Sequence, residues 1–161
     1  MNADQEQESP ELRGRSFCGL HADVKDVVLK VFYAVYNELG GGFLESVYHK
    51  AFAMALRQAG LTVSVQVPVP MHFRGVTVGN FIADITVNGC ALLELKAVSA
   101  LDRVHEGQIL NYLRATNFEI GLLFNFDPRP QFKRVVLENG NKKIRVYPRS
   151  SAVESLEELD R

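Results

Sequence analysis

The sequence predicts an α/β protein in which a mixed β-sheet is flanked by helices, with the element order α-α-β-β-β-α-β-β-β. Two observations lead to this prediction. The first third of the chain has apolar residues at the helical spacing of three and four, and the middle changes to strand-like alternation with dense apolar runs. A third helical stretch separates two of these runs.

Two helices are predicted first. One begins near Val24 and ends at the glycine run 40–42, and the other extends from about Leu44 to Ala59, where Gly60 stops it. No Gly-Lys-Ser/Thr signature follows the glycine run, so it indicates a turn between helices rather than a nucleotide-binding loop. The two helices are expected to form a hairpin.

Six strands and a third helix follow. Alternation from Leu61 up to Pro68 and Pro70 predicts the first strand, and the run from Phe73 to Val87 predicts the second. Residues 90–98 are densely apolar, which is typical of a central strand buried on both faces. The third helix is predicted from residue 101 or 102 to 115, and the last strands at 120–126, 132–137 and 143–147, with the final two paired.

Composition indicates one globular domain. A chain of 161 residues with 47% hydrophobic content can bury one core and is too short for two. We assign the domain to residues 21–150, after a polar segment at 1–20 that we expect to be disordered and before an acidic tail at 151–161. The N-terminal residues do not resemble a basic-then-apolar leader, and from the rest of the sequence we expect no membrane-spanning run and no disulfide framework. The sequence therefore predicts a cytoplasmic protein without membrane association.

Charge is distributed unevenly. The net charge is −1, but the part between the acidic ends has 17 basic against 11 acidic residues, an excess of six positive charges. Part of this excess is concentrated in and around the last predicted strand pair, at Arg129, Lys133, Arg134, Lys142, Lys143, Arg145 and Arg149. Such a surface suits contact with phosphates, and it equally suits a solvated edge hairpin protected by charge.

Two charged residues stand out in the most apolar strand. Glu94 and Lys96 lie inside LLELKAV, and the preceding strand places Asp84 inside FIADITV. An unpaired charge in such a strand would cost several kcal/mol, so these residues must pair, bind metal or face a cleft.

The turn between these strands decides whether the three residues meet. A two-residue turn would put Asp84 and Glu94 on opposite faces of the sheet. A three-residue loop at 87–89 would place Asp84 opposite Leu92, on the face that carries Glu94 and Lys96. The third position of this loop is a glycine, which suits the left-handed backbone needed there. We therefore predict a clustered site.

The residue types suit phosphodiester hydrolysis. Carboxylates of Asp84 and Glu94, together with the carbonyl of Leu95 and water, would hold Mg²⁺ or Mn²⁺. Lys96 would orient or deprotonate a water or stabilise the transition state. The competing interpretation is a structural salt bridge between Lys96 and one of the carboxylates.

Five ordered strings resemble the GxxExxY protein family, which is placed among the PD-(D/E)XK nuclease-like proteins. They are GFLESVY (42–48), QVPVP (66–70), FIADITVNG (81–89), LLELKAV (92–98) and VHEGQILNYLRAT (104–116). The resemblance spans roughly residues 24–126 and implies a restriction-endonuclease-like core. It also implies that Asp84 is the motif aspartate and 94–96 the E-x-K element.

The same resemblance adds residues around this core. It implies that Glu45 binds the metal or its waters, although the helix dipole favours a carboxylate there in any case. Gln108 and Tyr112 match a QxxxY element, and His105 lies on the same helical stripe. We predict a catalytic role for Gln108 and substrate contacts for Tyr112, His105 and Tyr48. An ordinary core tyrosine and a structural histidine are the alternatives.

The resulting hypothesis is a nuclease that uses Mg²⁺ or Mn²⁺ to hydrolyse DNA or RNA. One departure from the family pattern is Ile82, where relatives tend to carry a larger polar or basic residue, so one substrate contact is in doubt. The alternative is a module on the same scaffold that binds nucleic acid or protein without catalysis. A homodimer or a regulatory partner is compatible with the sequence, which identifies neither.

Overall fold

The computed structural model of the protein describes residues 21–142. The elements in this range are α1 (His21–Leu39), α2 (Glu45–Gln58), β1 (Val63–Phe73), β2 (Val76–Val87), β3 (Ala91–Lys96), α3 (Arg103–Arg114), β4 (Ile120–Asn125), β5 (Gln131–Val136) and a short 3-10 helix (Asn139–Asn141). Each predicted helix and strand in this range is present, with bounds that differ by up to a few residues.

Three predicted segments lie outside the described residues: the N-terminal tail at 1–20, the last strand at 143–147 and the acidic tail at 151–161. Among residues 21–142, no helix combines the length and the apolar character needed to cross a bilayer.

The sheet is mixed, as the sequence predicts. Its strands lie in the order β1-β2-β3-β4-β5. β3 and β4 are parallel, and the other neighbours are antiparallel. α3 makes the connection between β3 and β4, because two parallel neighbours need a long crossover. The predicted α/β class is confirmed.

Helices cover both faces of this sheet. α1 and α2 pack against one face through a core that includes Phe32, Phe52 and Phe124. α3 packs on the other face, where Ile109 and Tyr112 meet a smaller core. The five residues from Ala91 to Leu95 are all buried, so β3 is the central strand buried on both faces that its composition predicts.

Alternation along β3 divides its side chains between the two layers. Leu93 and Leu95 belong to the core beneath α1 and α2, and Leu92 belongs to the core beneath α3. Because side chains alternate along a strand, Glu94 and Lys96 share the α3 face with Leu92. The charged residues therefore enter the sheet on the side covered by only one helix.

The β1–β2 hairpin departs from the expected bounds. β1 continues through Pro68 and Pro70, and the chain turns at Arg74 and Gly75, both with left-handed φ. Proline is tolerated here because β1 lies at the edge of the sheet, where a missing N–H on the open side costs no ladder hydrogen bond. The expectation that β1 ends at these prolines is wrong.

The β2–β3 turn also differs from the predicted loop. Val87 pairs with Ala91, so the three loop residues are 88–90 rather than 87–89. Asn88 and Gly89 have φ of 53° and 63°, and Asn88 exchanges two 2.8 Å hydrogen bonds with the main chain of Thr62. The loop shifts by one residue, so each β2 residue meets a partner two positions further along β3 and the parity of the pairing is kept. Asp84 is placed level with Glu94 instead of Leu92.

Two glycines allow the contact between α3 and the sheet to be tested. A Cβ added at Gly121 on β4 would lie 2.7 Å from Cδ1 and Cγ1 of buried Ile109, whereas one added at Gly107 on α3 would meet nothing within 4 Å. We expect Gly121→Ala to lower the free energy of unfolding by about 1–3 kcal/mol through overpacking. Gly107→Ala should raise it by about 0.5–1 kcal/mol through helix propensity.

Urea denaturation of both variants measures these changes, and Gly121→Ala combined with Ile109→Val should be less destabilised than the sum of the single changes. Equal effects of the two alanines would contradict the close packing of α3 on β4.

Candidate active site

The ladder between β2 and β3 ends where the charged residues begin. Its last pair toward this end is Ile85 with Leu93. Beyond that pair, side chains take over the main-chain hydrogen bonds: Asp84 N–H donates to Glu94 Oε1 over 3.2 Å, and Leu95 N–H donates to Asp84 Oδ2 over 2.9 Å. Two carboxylates therefore fill the opening between the strands.

Glu94 is held in an unfavourable setting for a charge. Glu94 is only 2% exposed. Its pKa rises from 4.5 to about 9, mainly because of this burial and secondly because of the negative charge of Asp84. The hydrogen bond from the main chain of Asp84 and the charge of Lys96 act in the opposite direction without cancelling the rise. Glu94 therefore holds a proton near neutral pH unless a further positive charge lies beside it.

Lys96 is half-buried at the end of β3, on the same face as Glu94. Within residues 21–142, the ion pairs shorter than 4 Å join Lys25 to Asp26, His105 to Asp102 and Lys133 to Glu106. Lys96 forms none of them, so the structural salt bridge considered from the sequence is absent from the described part of the chain. Its ammonium group acts on Glu94 through the longer-range field.

A cleft opens beside Asp84. It has a volume of about 440 Å³ and lies between the first turns of α2 and the β1–β2 pair. Its lining residues are Glu45, Ser46, His49, Lys50, Val65, Gln66 and Asp84. The structure thus brings Glu45, the predicted helical carboxylate, to the same cleft as Asp84, through the start of α2.

α3 contributes a hydrogen-bonded pair on the other layer. Gln108 Nε2 donates to the hydroxyl of Tyr112 over 3.0 Å. Burial raises the pKa of Tyr112, and the charges of Glu94 and Asp84 raise it further, while the bond from Gln108 lowers it. These charge effects place the hydroxyl within electrostatic reach of both carboxylates.

Two residues that the sequence predicts to contact substrate instead form hydrogen bonds within the fold. Tyr48 is fully buried, and its hydroxyl donates to the carbonyl of Gly40 over 2.6 Å and accepts from Phe43 N–H over 3.3 Å. His105 caps α3, because its Nδ1 accepts from the main-chain N–H of Asp102. Neither side chain lines the cleft, and both hold the chain in place.

Two further residues support the site without having been identified from the sequence. Asn125 is fully buried and exchanges hydrogen bonds of 3.0 and 2.8 Å with the main chain of Val98, which holds the segment that follows Lys96. His49 Nε2 lies 3.1 Å from the carbonyl oxygen of Asp84. A polar residue ending the apolar run IGLLFN could have indicated Asn125, but nothing in the local sequence indicates His49.

The donor set fits a hard divalent ion. No three His, Cys, Asp or Glu side chains converge on one point within residues 21–142. Mg²⁺ commonly takes only one or two carboxylates and completes its shell with water and substrate oxygens. Asp84 and Glu94 supply such a pair, the main chain of Leu95 lies beside them, and burial of Glu94 beside a second carboxylate is a setting that a cation relieves.

Comparison with known proteins identifies the family. A model of the PD-(D/E)XK nuclease superfamily matches residues 22–135, which is more than half of the chain, and the chain belongs to this superfamily. No curated protein matches it. The crystal structure of SSO0001 is similar at 16% sequence identity and a TM-score of 0.47, over 86% of this chain and 66% of SSO0001. The chain thus spans slightly under two thirds of that structure.

This match confirms the resemblance to the PD-(D/E)XK nuclease-like proteins. It also confirms the restriction-endonuclease-like core that the resemblance implies. Divalent metals are generally used by nucleases of this superfamily.

The buried carboxyl of Glu94 predicts an unusual dependence of stability on pH. Its pKa is 4.5 ordinarily and about 9 in the folded protein, so folding takes up a proton between these values and the free energy of unfolding falls as pH rises through this window. Glu94→Gln keeps the shape and removes the charge. We expect it to raise the free energy of unfolding by about 1 kcal/mol or more at pH 8 without divalent ions, and by much less at pH 5.

Urea denaturation at both pH values measures the difference, with Glu38→Gln on the exposed side of α1 as the matched control. A gain at pH 8 no larger than that at pH 5 would contradict the protonated state of Glu94.

Proposed function

We propose that this protein is a nuclease of the GxxExxY type that hydrolyses phosphodiester bonds of DNA or RNA with Mg²⁺ or Mn²⁺. The observation that supports this most strongly is the carboxylate pair in the opening between β2 and β3. Asp84 and Glu94 are held together although burial and the charge of Asp84 disfavour a charge on Glu94. The two main-chain hydrogen bonds that these side chains accept do not require a buried pair of charges, whereas a cation-binding site needs both carboxylates.

The chemistry follows from the groups beside this pair. A divalent ion bound there would supply Lewis-acid charge to the phosphate ester and to an attacking water. Lys96, on the face of Glu94, places an ammonium group where it can stabilise negative charge on the phosphate or orient the water. Glu45, across the cleft from Asp84, accepts hydrogen bonds from water or completes the carboxylate set.

α3 supports the opposite side of the site. Gln108 and Tyr112 are joined by a hydrogen bond, and Gln108 is half-buried, so its remaining amide groups can meet substrate or water. Tyr112 is 4% exposed, and it serves mainly to hold Gln108. We propose a catalytic or orienting role for Gln108. His105 caps α3, and the hydroxyl of the buried Tyr48 bonds the main chain of Gly40 and Phe43. For these two residues we therefore propose a role in holding the main chain in place.

Nucleic acid is the substrate class that suits the surroundings. Lys50 lines the cleft with Asp84 and Glu45, and Arg134 is exposed on β5, where the neighbouring Lys133 pairs with Glu106. Cations near a phosphodiester-cleaving site attract the polyanionic backbone and steer it toward the site.

Cleavage of labelled single- and double-stranded DNA and RNA tests this function. With Mg²⁺ or Mn²⁺, wild type should cut at least one substrate, and Asp84→Ala or Lys96→Ala should lower kcat by about 100-fold or more, because each removes transition-state stabilisation. Asp26→Ala and Lys30→Ala, on the solvent side of α1, are charge-matched controls and should retain the rate.

Cleavage that survives both Asp84→Ala and Lys96→Ala would show that it does not arise at this site. Salt-sensitive binding of the same nucleic acids without any cleavage would instead support the alternative, a non-catalytic binding module on the nuclease scaffold.

A further inference from the structure

The stretch of β2 that carries Asp84 is held by two residues from other elements. We propose that His49 and Gln66 are positioning residues for Asp84, which keep its carboxylate in the opening between β2 and β3. This inference rests on the proposed function for its purpose, since the carboxylate that they hold is the proposed metal ligand.

The β1–β2 ladder has a gap at this point. Val65 pairs with Ile85 and Val67 pairs with Ala83 in one continuous register, but Gln66 and Asp84 between them do not pair. Gln66 has a φ of 50°, which lies in the left-handed region of backbone conformation that residues other than glycine rarely adopt. Among the described residues, the other non-glycine positions with positive φ lie in the two hairpin turns, at Arg74 and Asn88.

Side chains replace the partners that Asp84 loses in this gap. Buried main-chain groups need hydrogen bonds, and the carbonyl of Asp84 would ordinarily accept one from β1. His49 Nε2 lies 3.1 Å from that carbonyl oxygen, while the N–H of Asp84 donates to Glu94. Both main-chain groups of Asp84 are thus satisfied from outside the ladder, one of them by α2.

The gap changes which way β2 faces. Ala83 packs in the core beneath α3, whereas Ile85 packs in the core beneath α1 and α2, although residues two apart on a regular strand share a face. The rotation falls between them, at Asp84. It turns the carboxylate toward β3, where Oδ2 accepts the hydrogen bond from Leu95 N–H.

Gln66 also supports the ring that makes this contact. Its side-chain amide nitrogen lies 3.3 Å from Nε2 of His49, and both residues line the cleft. The carbonyl of Asp84 can only accept, so Nε2 of His49 carries its proton for that bond, and the amide of Gln66 contacts the same ring nitrogen as a packing neighbour rather than as a donor. The backbone of Gln66 forms the gap in the β1–β2 ladder, and its side chain packs beside the histidine that contacts the carbonyl of Asp84 in that gap.

Hydrogen exchange at one amide tests the proposal without metal or nucleic acid. The Leu95 N–H reports whether the Asp84 carboxylate stays in place, and the Leu123 N–H in the middle of β4 reports global opening. In His49→Leu, which removes the donor, we expect exchange of the Leu95 amide to become about tenfold faster with no matching change at Leu123. His49→Gln, which keeps a donor, should restore most of the protection.

Matched controls separate positioning from general stability. His72→Leu removes another histidine of the sheet, whose Nδ1 lies 3.2 Å from Thr77 far along the hairpin, and it should leave the Leu95 amide unchanged. Gln66→Gly and Arg74→Gly both relieve a left-handed backbone. Both should preserve or raise the Tm, but only Gln66→Gly should accelerate exchange at Leu95.

Binding of Mn²⁺ extends the test to function. Titration followed by electron paramagnetic resonance should show about tenfold weaker affinity in His49→Leu and Gln66→Gly, and near wild-type affinity in His72→Leu and Arg74→Gly. Since the carboxylate is displaced rather than removed, saturating Mn²⁺ should recover much of the kcat of His49→Leu, whereas Asp84→Ala should stay inactive.

The outcomes distinguish this inference from the proposed function. Unchanged exchange at Leu95 in both His49→Leu and Gln66→Gly overturns the positioning role, whether or not the protein binds Mn²⁺ or cuts nucleic acid. Wild type without Asp84-dependent Mn²⁺ binding overturns the metal site instead, and the exchange data still decide the role of His49 and Gln66.

Discussion

The opening between β2 and β3 depends on side chains that replace main-chain hydrogen bonds. Strands that part in the middle of a sheet leave N–H and C=O groups without partners, which is costly away from water. Here Glu94 accepts from the N–H of Asp84, and Asp84 accepts from the N–H of Leu95. The same carboxylates that satisfy the parted strands are the groups proposed for chemistry, so structure and function share one set of contacts.

This opening also explains why the site draws on both layers of the fold. The sheet normally separates the α1–α2 layer from α3. Where β2 leaves the ladder, Asp84 meets the cleft beside α2, while Glu94 and Lys96 remain on the α3 face, where the charge of Glu94 reaches Tyr112. Groups from both layers therefore act on one pair of carboxylates, and burial together with the charge of Asp84 raises the pKa of Glu94.

Much of the fold follows from local sequence. Helical periodicity, strand alternation and a densely apolar central run predict the element order and a mixed sheet, because burial imposes the same periods in any compact protein. The bounds are less predictable where context overrides the local signal. Pro68 and Pro70 ordinarily end a strand, but they lie within β1, and only the position of β1 at the sheet edge makes them acceptable there.

The sequence by itself predicted that Asp84 would share a face with Glu94 and Lys96, because a three-residue loop ending in glycine sets that parity, and it marked Lys96 as a charge needing compensation. The tertiary structure decided the register of the turn, the gap at Gln66 and the contact of His49 with Asp84. These depend on the two hydrogen bonds between Asn88 and the main chain of Thr62 and on the approach of His49 to the carbonyl of Asp84, between residues 26 and 35 positions apart. Contacts at such separations leave no local pattern, because only packing of the whole chain brings their partners together.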